Sequence, residues 1–183
     1  MPNSEFPLDK LKIIKLTDVH KPMLKTFKCE DESLEHFLKE QAVDHQKQLL
    51  ATTHLCVYEN TVAGFFTICS SKLQIRELDK DKRKEFERLG KRYPSYPATL
   101  IARLAIHQDY QRKGIGTYLI KAVVGKILES NENFSGSRFV AVDSYPQAEE
   151  FYKKFGMKRI EPEKVYSPDD SIQLFVDIFE IKL

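Results

Sequence analysis

Apolar positions along this chain change their spacing several times, and each change marks a new element. "LKIIKL" (11–16) reads as a short strand. Asp31 is placed to cap a helix running to about Leu49, in which Leu34, Phe37, Leu38 and Ala42 share one face. "THLCVY" (53–58) and "TVAGFFTIC" (61–69) are rich in β-branched and aromatic side chains; the "EN" between them predicts an antiparallel hairpin. "ATLIARLAI" (98–106), interrupted only by Thr99 and Arg103, suits a central strand. Helical spacing returns in "GTYLIKAVVGKILES", where Leu119, Ala122, Val123 and Ile127 line up. "SRFVAVDSY" (137–145) alternates like a strand. "PQAEEFYKKFG" opens on Pro146, a favourable first-turn residue, and closes on Gly156. "SIQLFVDIFEIKL" (171–183) alternates as a terminal strand should. The resulting order, β–α–β–β–(insert)–β–α–β–α–β, predicts a mixed α/β sheet.

The insert breaks the pattern. "RELDKDKRKEFERLGKR" (76–92) is dense in both signs of charge, with Leu78, Phe86 and Leu89 as its main apolar residues. Such runs are usually solvated helices laced with ion pairs, or loops. The sharper reading is a substrate-facing surface carrying Lys80, Lys82, Arg83, Lys84, Arg88, Lys91 and Arg92. "YPSYP" (93–97) closes the segment, because proline does not continue a helix.

Composition narrows the class. At 183 residues the chain is expected to form one domain, 1–183, with a charged insert at about 76–93. Its 42% hydrophobic and 31% charged residues are ordinary for a globular protein. A net charge of +2 does not by itself argue for nucleic acid. "MPNSEFPLDK" lacks the apolar core of a signal peptide, and no apolar run approaches the roughly 18 residues that span a bilayer. The expected location is the cytoplasm, with no membrane partner. Cys29, Cys56 and Cys69 lack metal-type spacing, so no metal is expected, and Cys56 and Cys69 read as small buried hydrophobes.

"DYQRKGIGTYL" (109–119) carries the clearest chemistry. Only 7 residues of the chain are glycine, and two stand here, between strand and helix. The first N–H groups of a helix have no intrahelical acceptor, and the helix dipole adds positive charge there. A phosphate is stabilised at such a place. Gly114 and Gly116 remove side chains that would hold it off, and Arg112 and Lys113 can add charge. The dinucleotide fingerprint needs a third glycine, and a P-loop needs Gly-Lys-Ser/Thr; neither is present. Taken alone, the turn is equally a ligand-free tight connection.

A second motif favours the ligand. "RLAIHQDYQRKGIGTYLIKAVV" (103–124) resembles the acetyl-coenzyme A signature of the GNAT superfamily of N-acetyltransferases, Gln/Arg-x-x-Gly-x-Gly/Ala, matched by Gln111, Arg112, Lys113, Gly114, Ile115 and Gly116. "AEEFYKKFGM" (148–157) resembles the family's second signature helix, and "VAGFFTI" its third strand. The resemblance spans about 11–183 and is weak in 76–93. It implies a GNAT-type mixed, mostly antiparallel central sheet flanked by helices, with two splayed parallel central strands, here 98–106 and 138–145. Acetyl-CoA would be the co-substrate, with its pantetheine arm along Leu104, Ala105 and Ile106 and its pyrophosphate on the amides of Arg112, Lys113, Gly114, Ile115, Gly116 and Thr117, Gln111 of the signature being cofactor-binding as well.

The implied reaction is direct attack of an amine on the acetyl thioester. Positioning supplies several kcal/mol, and a backbone N–H near Ile106 would polarise the carbonyl. Tyr152 stands where the family has its tyrosine acid; a phenol with pKa near 10 is protonated at neutral pH. Phe151 and Phe155 beside it are the expected core residues of that helix. No general base is legible; Glu32, His54, His107 and Asp143 are the candidates. Many relatives have an asparagine where this chain has Tyr145, so no contact inferred from that asparagine transfers.

The acceptor is less defined. "FKCEDESLEHFLKEQA" (27–42) and "IARLAI" resemble the GNAT branch containing toxins that acetylate the α-amine of aminoacyl-tRNA. Lys and Arg contacts to phosphate would be required, yet the insert's cations are interleaved with Glu77, Asp79, Asp81, Glu85 and Glu87. The acceptor amine therefore reads as that of a small molecule or protein, with tRNA as the alternative. A non-catalytic acyl-CoA-binding module is the alternative from another class, against which Tyr152 argues. A homodimer stays open, because a terminal strand can pair within or between chains.

Overall fold

The strands are β1 (Lys12–Lys15), β2 (Thr52–Tyr58), β3 (Thr61–Gln74), β4 (Ser95–Ile106), β5 (Phe139–Ser144), β6 (Lys158–Arg159) and β7 (Ile172–Asp177). They hydrogen-bond in the order β1-β2-β3-β4-β5-β7-β6. Pairs β1/β2, β2/β3, β5/β7 and β6/β7 are antiparallel, whereas β4/β5 is parallel. The helices are α1 (Lys21–Leu24), α2 (Glu32–His36), α3 (Ala42–Lys47), α4 (Lys80–Arg88), α5 (Ile115–Asn133) and α6 (Glu149–Lys153). This computed structural model describes residues 6–74, 76, 78, 80–88, 93–161, 165–167 and 170–183. Leu89, Lys91 and Arg92 of the charged insert lie outside them, as do Glu77 and Asp79. Mixed α/β architecture with one parallel pair is the predicted fold class.

Two compact units divide the chain, Met1–Cys69 with Ala102–Lys126, and Ser70–Ile101 with Ile127–Leu183. In the first, Asp31 caps α2 as expected: its Oδ1 accepts from the N–H groups of Ser33 and Leu34 at 2.8 and 3.2 Å. The long helix predicted to follow is not uniform. Phe37–Gln41 is a π turn between α2 and α3, in which the Ala42 N–H bonds back to the Phe37 carbonyl. The turn leaves Phe37, Leu38 and Ala42 all buried. They share a core with Leu16, Leu24, Phe27, Leu55, Val62 and Phe65. The β2/β3 hairpin register shifts after Cys56–Gly64, so that Val57 pairs with Val62 and Ala63 is the extra residue of a bulge. Gly64 is needed by its surroundings. A Cβ there would lie 2.9 Å from the Ala105 carbonyl oxygen and 3.1 Å from the Ile106 side chain.

The second unit corrects the reading of the charged insert. α4 is a helix, but not a solvated one on every side: Phe86 is buried with Leu73, Leu78, Tyr96, Ala98, Phe139 and Phe175. Phe86 and Tyr96 are 4.2 Å apart between ring centroids. Lys82 is spent within the fold, since its Nζ reaches Glu85, Asp177 and Glu180 at 3.0, 2.9 and 2.6 Å. Arg138 reaches Glu85 and Asp177 at 3.2 and 2.7 Å and lies over the Phe179 ring. Asp177 is buried. Burial alone would raise its pKa, but hydrogen bonds from Arg138, Lys82 and the Phe179 N–H outweigh that and hold it below the ordinary 3.8. The signal was invisible locally because Lys82 and Asp177 are 95 residues apart.

Both ends of the predicted strands also moved. β4 starts at Ser95 and takes in Pro97, which lacks a donor yet still accepts from the Arg138 N–H at 3.0 Å. β7 stops at Asp177 rather than running to 183, because the Asp177 side chain and carbonyl accept from Phe179 and Glu180 N–H and turn the chain.

Replacing Gly64 by Ala forces a Cβ against a backbone oxygen. The expected loss is about 1–3 kcal/mol, seen as a lower Tm by thermal melting. A Tm equal to the parent's refutes the close approach. The Asp177 contribution is complete above pH 3.8 and is lost as pH falls through its lower folded value. Asp177→Asn is therefore expected to melt about 5 °C or more below the parent at pH 7, with the gap closing in acid. A gap that stays constant down to pH 2 would overturn this assignment.

Candidate active site

β4 passes to α5 through a tightly bonded turn. At the strand end the His107 N–H donates to the Ala63 carbonyl at 2.9 Å, and the Gln108 N–H to Lys28 at 2.9 Å. Gln108–Tyr110 is a single 3₁₀ turn. Beyond it the backbone twice enters the left-handed region, at Arg112 (φ 57°) and Gly114 (φ 82°). Gly114 suits that conformation; an arginine there is uncommon and was not anticipated from sequence. The first α-helical bond follows, from the Tyr118 N–H to the Gly114 carbonyl at 3.1 Å. The N–H groups of Ile115, Gly116 and Thr117 thus precede the ladder of a 19-residue helix. Ile115 is buried, Gly116 and Gln111 are half-buried, and Arg112, Lys113, Gly114 and Thr117 are exposed.

The two cations of the turn differ. Lys113 donates to the Asp109 carbonyl at 2.7 Å and lies over the rings of Phe6 and Tyr110, at 5.4 and 5.2 Å. Its charge is held by the turn itself. Arg112 is exposed on the left-handed residue. Leu104, Ala105 and Ile106 continue β4 past the end of its ladder with β5, which pairs 98–101 with 139–142 and stops at Ile101–Val142. Ala105 is buried, whereas Leu104 and Ile106 are half-buried.

In the second unit, Pro146–Ala148 forms a 3₁₀ turn that leads into α6, and Gly156 ends the segment at φ 84°. The expected division of labour on this helix is corrected. Tyr152 is 5% exposed, as buried as Phe155, while Phe151 is only half-buried. The Phe151 ring meets Tyr152 edge-on at 5.0 Å. Burial raises the Tyr152 phenol above its ordinary 10, so it stays protonated at neutral pH. The helix is tied down by Glu149, a residue the sequence did not single out. Arg159 grips both its carboxylate oxygens at 2.6 Å, and Lys153 adds a bond at 3.0 Å. The Arg159 bonds, against the opposing effect of burial and with help from Lys153, lower Glu149 to about 2.

The candidate bases fare unequally. His107 is buried with both ring nitrogens engaged: Nε2 lies 3.2 Å from the Thr26 carbonyl, and Nδ1 accepts from the Asp109 N–H at 3.2 Å. Both contacts are to backbone groups, which gives His107 a place in holding the turn. His54 is buried and stacked on Phe66 at 5.0 Å. Glu32 and Asp143 are exposed. Cys56 is fully buried and burial pushes its thiol up to about 12, which suits a packing residue rather than a nucleophile. Among the described residues no helix is long and apolar enough to cross a membrane, and no group of three His, Cys, Asp or Glu is arranged to hold a metal.

The acetyltransferase (GNAT) domain family matches residues 95–167, the stretch that includes β4, the glycine turn, α5, β5 and α6. A tRNA-acetylating toxin of Mycobacterium tuberculosis is 21% identical over 152 residues, covering 82% of this chain and 83% of that protein. The fold is shared with AtaT complexed with acetyl-methionyl-tRNAfMet, at a TM-score of 0.76 and 23% identity over 91% of this chain and 94% of that one. It is shared also with AtaTR bound with AcCoA, at a TM-score of 0.72 and 24% identity over 93% and 95%. Residues 95–167 are thereby a GNAT acetyltransferase domain, and the chain that carries it is an acetyltransferase.

Proposed function

We propose that this enzyme transfers the acetyl group of acetyl-CoA to the α-amine of an aminoacyl-tRNA. The likeness to a tRNA-acetylating toxin over 82% of the chain carries the acceptor half of the reading. The turn supports the donor half: the amides of Ile115, Gly116 and Thr117 precede the helix's hydrogen-bond ladder, a place that favours an anion such as the diphosphate of coenzyme A. In this reading Leu104, Ala105 and Ile106 pair with the amides of the pantetheine arm. Arg112, an exposed cation of the turn, adds charge to the diphosphate.

The chemistry is a direct displacement. The amine nitrogen attacks the thioester carbonyl carbon, a C–N bond forms, and the C–S bond breaks. The leaving thiolate takes a proton from the Tyr152 hydroxyl, the ammonium formed by attack loses one to water, and a proton from water restores the Tyr152 phenol. Because burial raises the Tyr152 pKa, the transfer runs with C–S cleavage rather than ahead of it.

The identity of the amine is supported by the bases. With both His107 nitrogens engaged, no strong base is assigned. An α-amine with pKa near 7.7 is about one-third neutral at pH 7.4, whereas a lysine near 10.4 is neutral in only about one molecule in a thousand. The first can react without a base; the second cannot react at a useful rate. Segment 102–126 is also locally basic, with Arg103, Arg112, Lys113, Lys121 and Lys126 against Asp109 alone. That local excess answers the objection from the near-neutral whole chain.

Two experiments test this. Labelled acetyl-CoA is incubated with purified enzyme, charged tRNA, uncharged tRNA, amines and peptides. Label is expected in charged tRNA and to depart with the amino acid on mild alkaline hydrolysis. Label only in peptides or small amines refutes the acceptor. In the second, Tyr152→Phe is expected to lower kcat by about 100-fold or more while acetyl-CoA Kd moves less than about threefold. Unchanged turnover removes the acid role from Tyr152.

A further inference from the structure

Arg103 interrupts the apolar run of β4, and the donor site above does not use it. The positions two before and two after it, Ile101 and Ala105, are buried, yet Arg103 is exposed. An exposed cation within an inner strand of a seven-stranded sheet is out of place unless that face is open there. Its guanidinium is also fixed. Nη1 donates to the Ala102 carbonyl at 2.7 Å, and the group lies over the Phe37 ring at 5.1 Å. Phe37 cannot drift, because it is the first residue of the π turn and is buried against His45 and Phe65, at 5.3 and 6.4 Å between ring centroids. Among the described residues no carboxylate pairs with Arg103, although Lys39, Lys47, Lys82, Arg138, Lys153 and Arg159 all find one.

A guanidinium has five N–H donors in a planar fork. Here one carbonyl and one aromatic face hold its plane, and the remaining donors are left for an anion from outside. Next to it in sequence are Leu104, Ala105 and Ile106, the residues proposed to hold the pantetheine arm. We infer that Arg103 is an acceptor-binding residue, whose fork engages a phosphodiester of the acceptor's RNA. This rests on the acceptor reading above and deepens it. The π turn then has a purpose in addition to packing: it sets Phe37 as the platform for the guanidinium. π turns inside helices are frequently found at functional sites. A lysine would keep the charge but lose the fork and the stacking.

The test compares parent, Arg103→Gln and Arg103→Lys, each first shown to melt with the parent. KM for charged tRNA is expected to rise about tenfold in Arg103→Gln and less in Arg103→Lys, with KM for acetyl-CoA within about twofold in both. The slope of log KM against log salt is expected to fall by about one in Arg103→Gln, as for the loss of one phosphate contact. Unchanged tRNA KM and salt slope overturn the inference, as does an equal rise in acetyl-CoA KM, which would place Arg103 on the donor. Binding of uncharged tRNA by fluorescence anisotropy separates this from the function itself. Should the parent acetylate no charged tRNA yet bind tRNA about tenfold more tightly than Arg103→Gln, the acceptor reading falls and Arg103 stays an RNA contact. Equal binding by the two, or none by the parent, sinks the Arg103 contact.

Discussion

A backbone amide or carbonyl withdrawn from water must find a partner, and β4 is where this rule bears hardest on the molecule. The strand is twelve residues long, but its parallel ladder with β5 covers only four register pairs. Past Ile101 the strand runs on through Leu104, Ala105 and Ile106. An extended ligand with amides of its own, spaced like peptide groups, is the natural complement, and pantetheine is such a ligand. In the proposed reading, the strand past Ile101 and the glycine turn address two parts of one molecule, its arm and its diphosphate. Neither needs a charged side chain as its main device, which is consistent with a turn whose Lys113 is committed to Asp109 and to two rings.

Much of this was legible in the sequence, and the reason is locality. Asp31 capping α2, Gly114 and Gly156 at positive φ, and the hairpin from 52 to 74 each depend on residues within a few positions. What escaped depends on distance or on backbone detail. Lys82 reads as a surface lysine until Asp177 and Glu180 are brought to it. Glu149 reads as one more acid in a charged helix until Arg159 closes on it. The π turn escaped because one extra residue in a helix shifts the apolar face without erasing it: Leu38 to Ala42 still reads as ordinary helical spacing. Arg112 in a left-handed conformation had no sequence cue, since the pattern offered glycines two residues further on for that task.

Tyr152 illustrates how the same residue answers two demands. As a helix residue it packs, more completely than Phe151. As a candidate acid it gains from that packing, because burial disfavours the phenolate and keeps the proton in place. The disadvantage is a weaker acid, which suits only a leaving group that is already becoming negative. A thioester provides that: the thiolate accepts the proton as the C–S bond lengthens. The bidentate bond from Arg159 of β6 to Glu149 of the same short helix has a role here too. α6 has five residues, too few to hold its own direction, and an ion pair with both oxygens bound fixes it.

The charges of the chain are sorted by what they touch, and that sorting explains why net charge was a poor guide. The insert's cations were the first candidates for an RNA surface, yet Lys82 there is consumed by carboxylates of the fold. Arg103, standing singly in an otherwise apolar strand, faces outward. A cation buried among acids contributes to folding and is silent toward a polyanion. Arg103 is held by one aromatic face and one carbonyl, with no carboxylate bound to it among the described residues. In the proposed reading, one such cation orients a phosphodiester more effectively than cations that are internally neutralised.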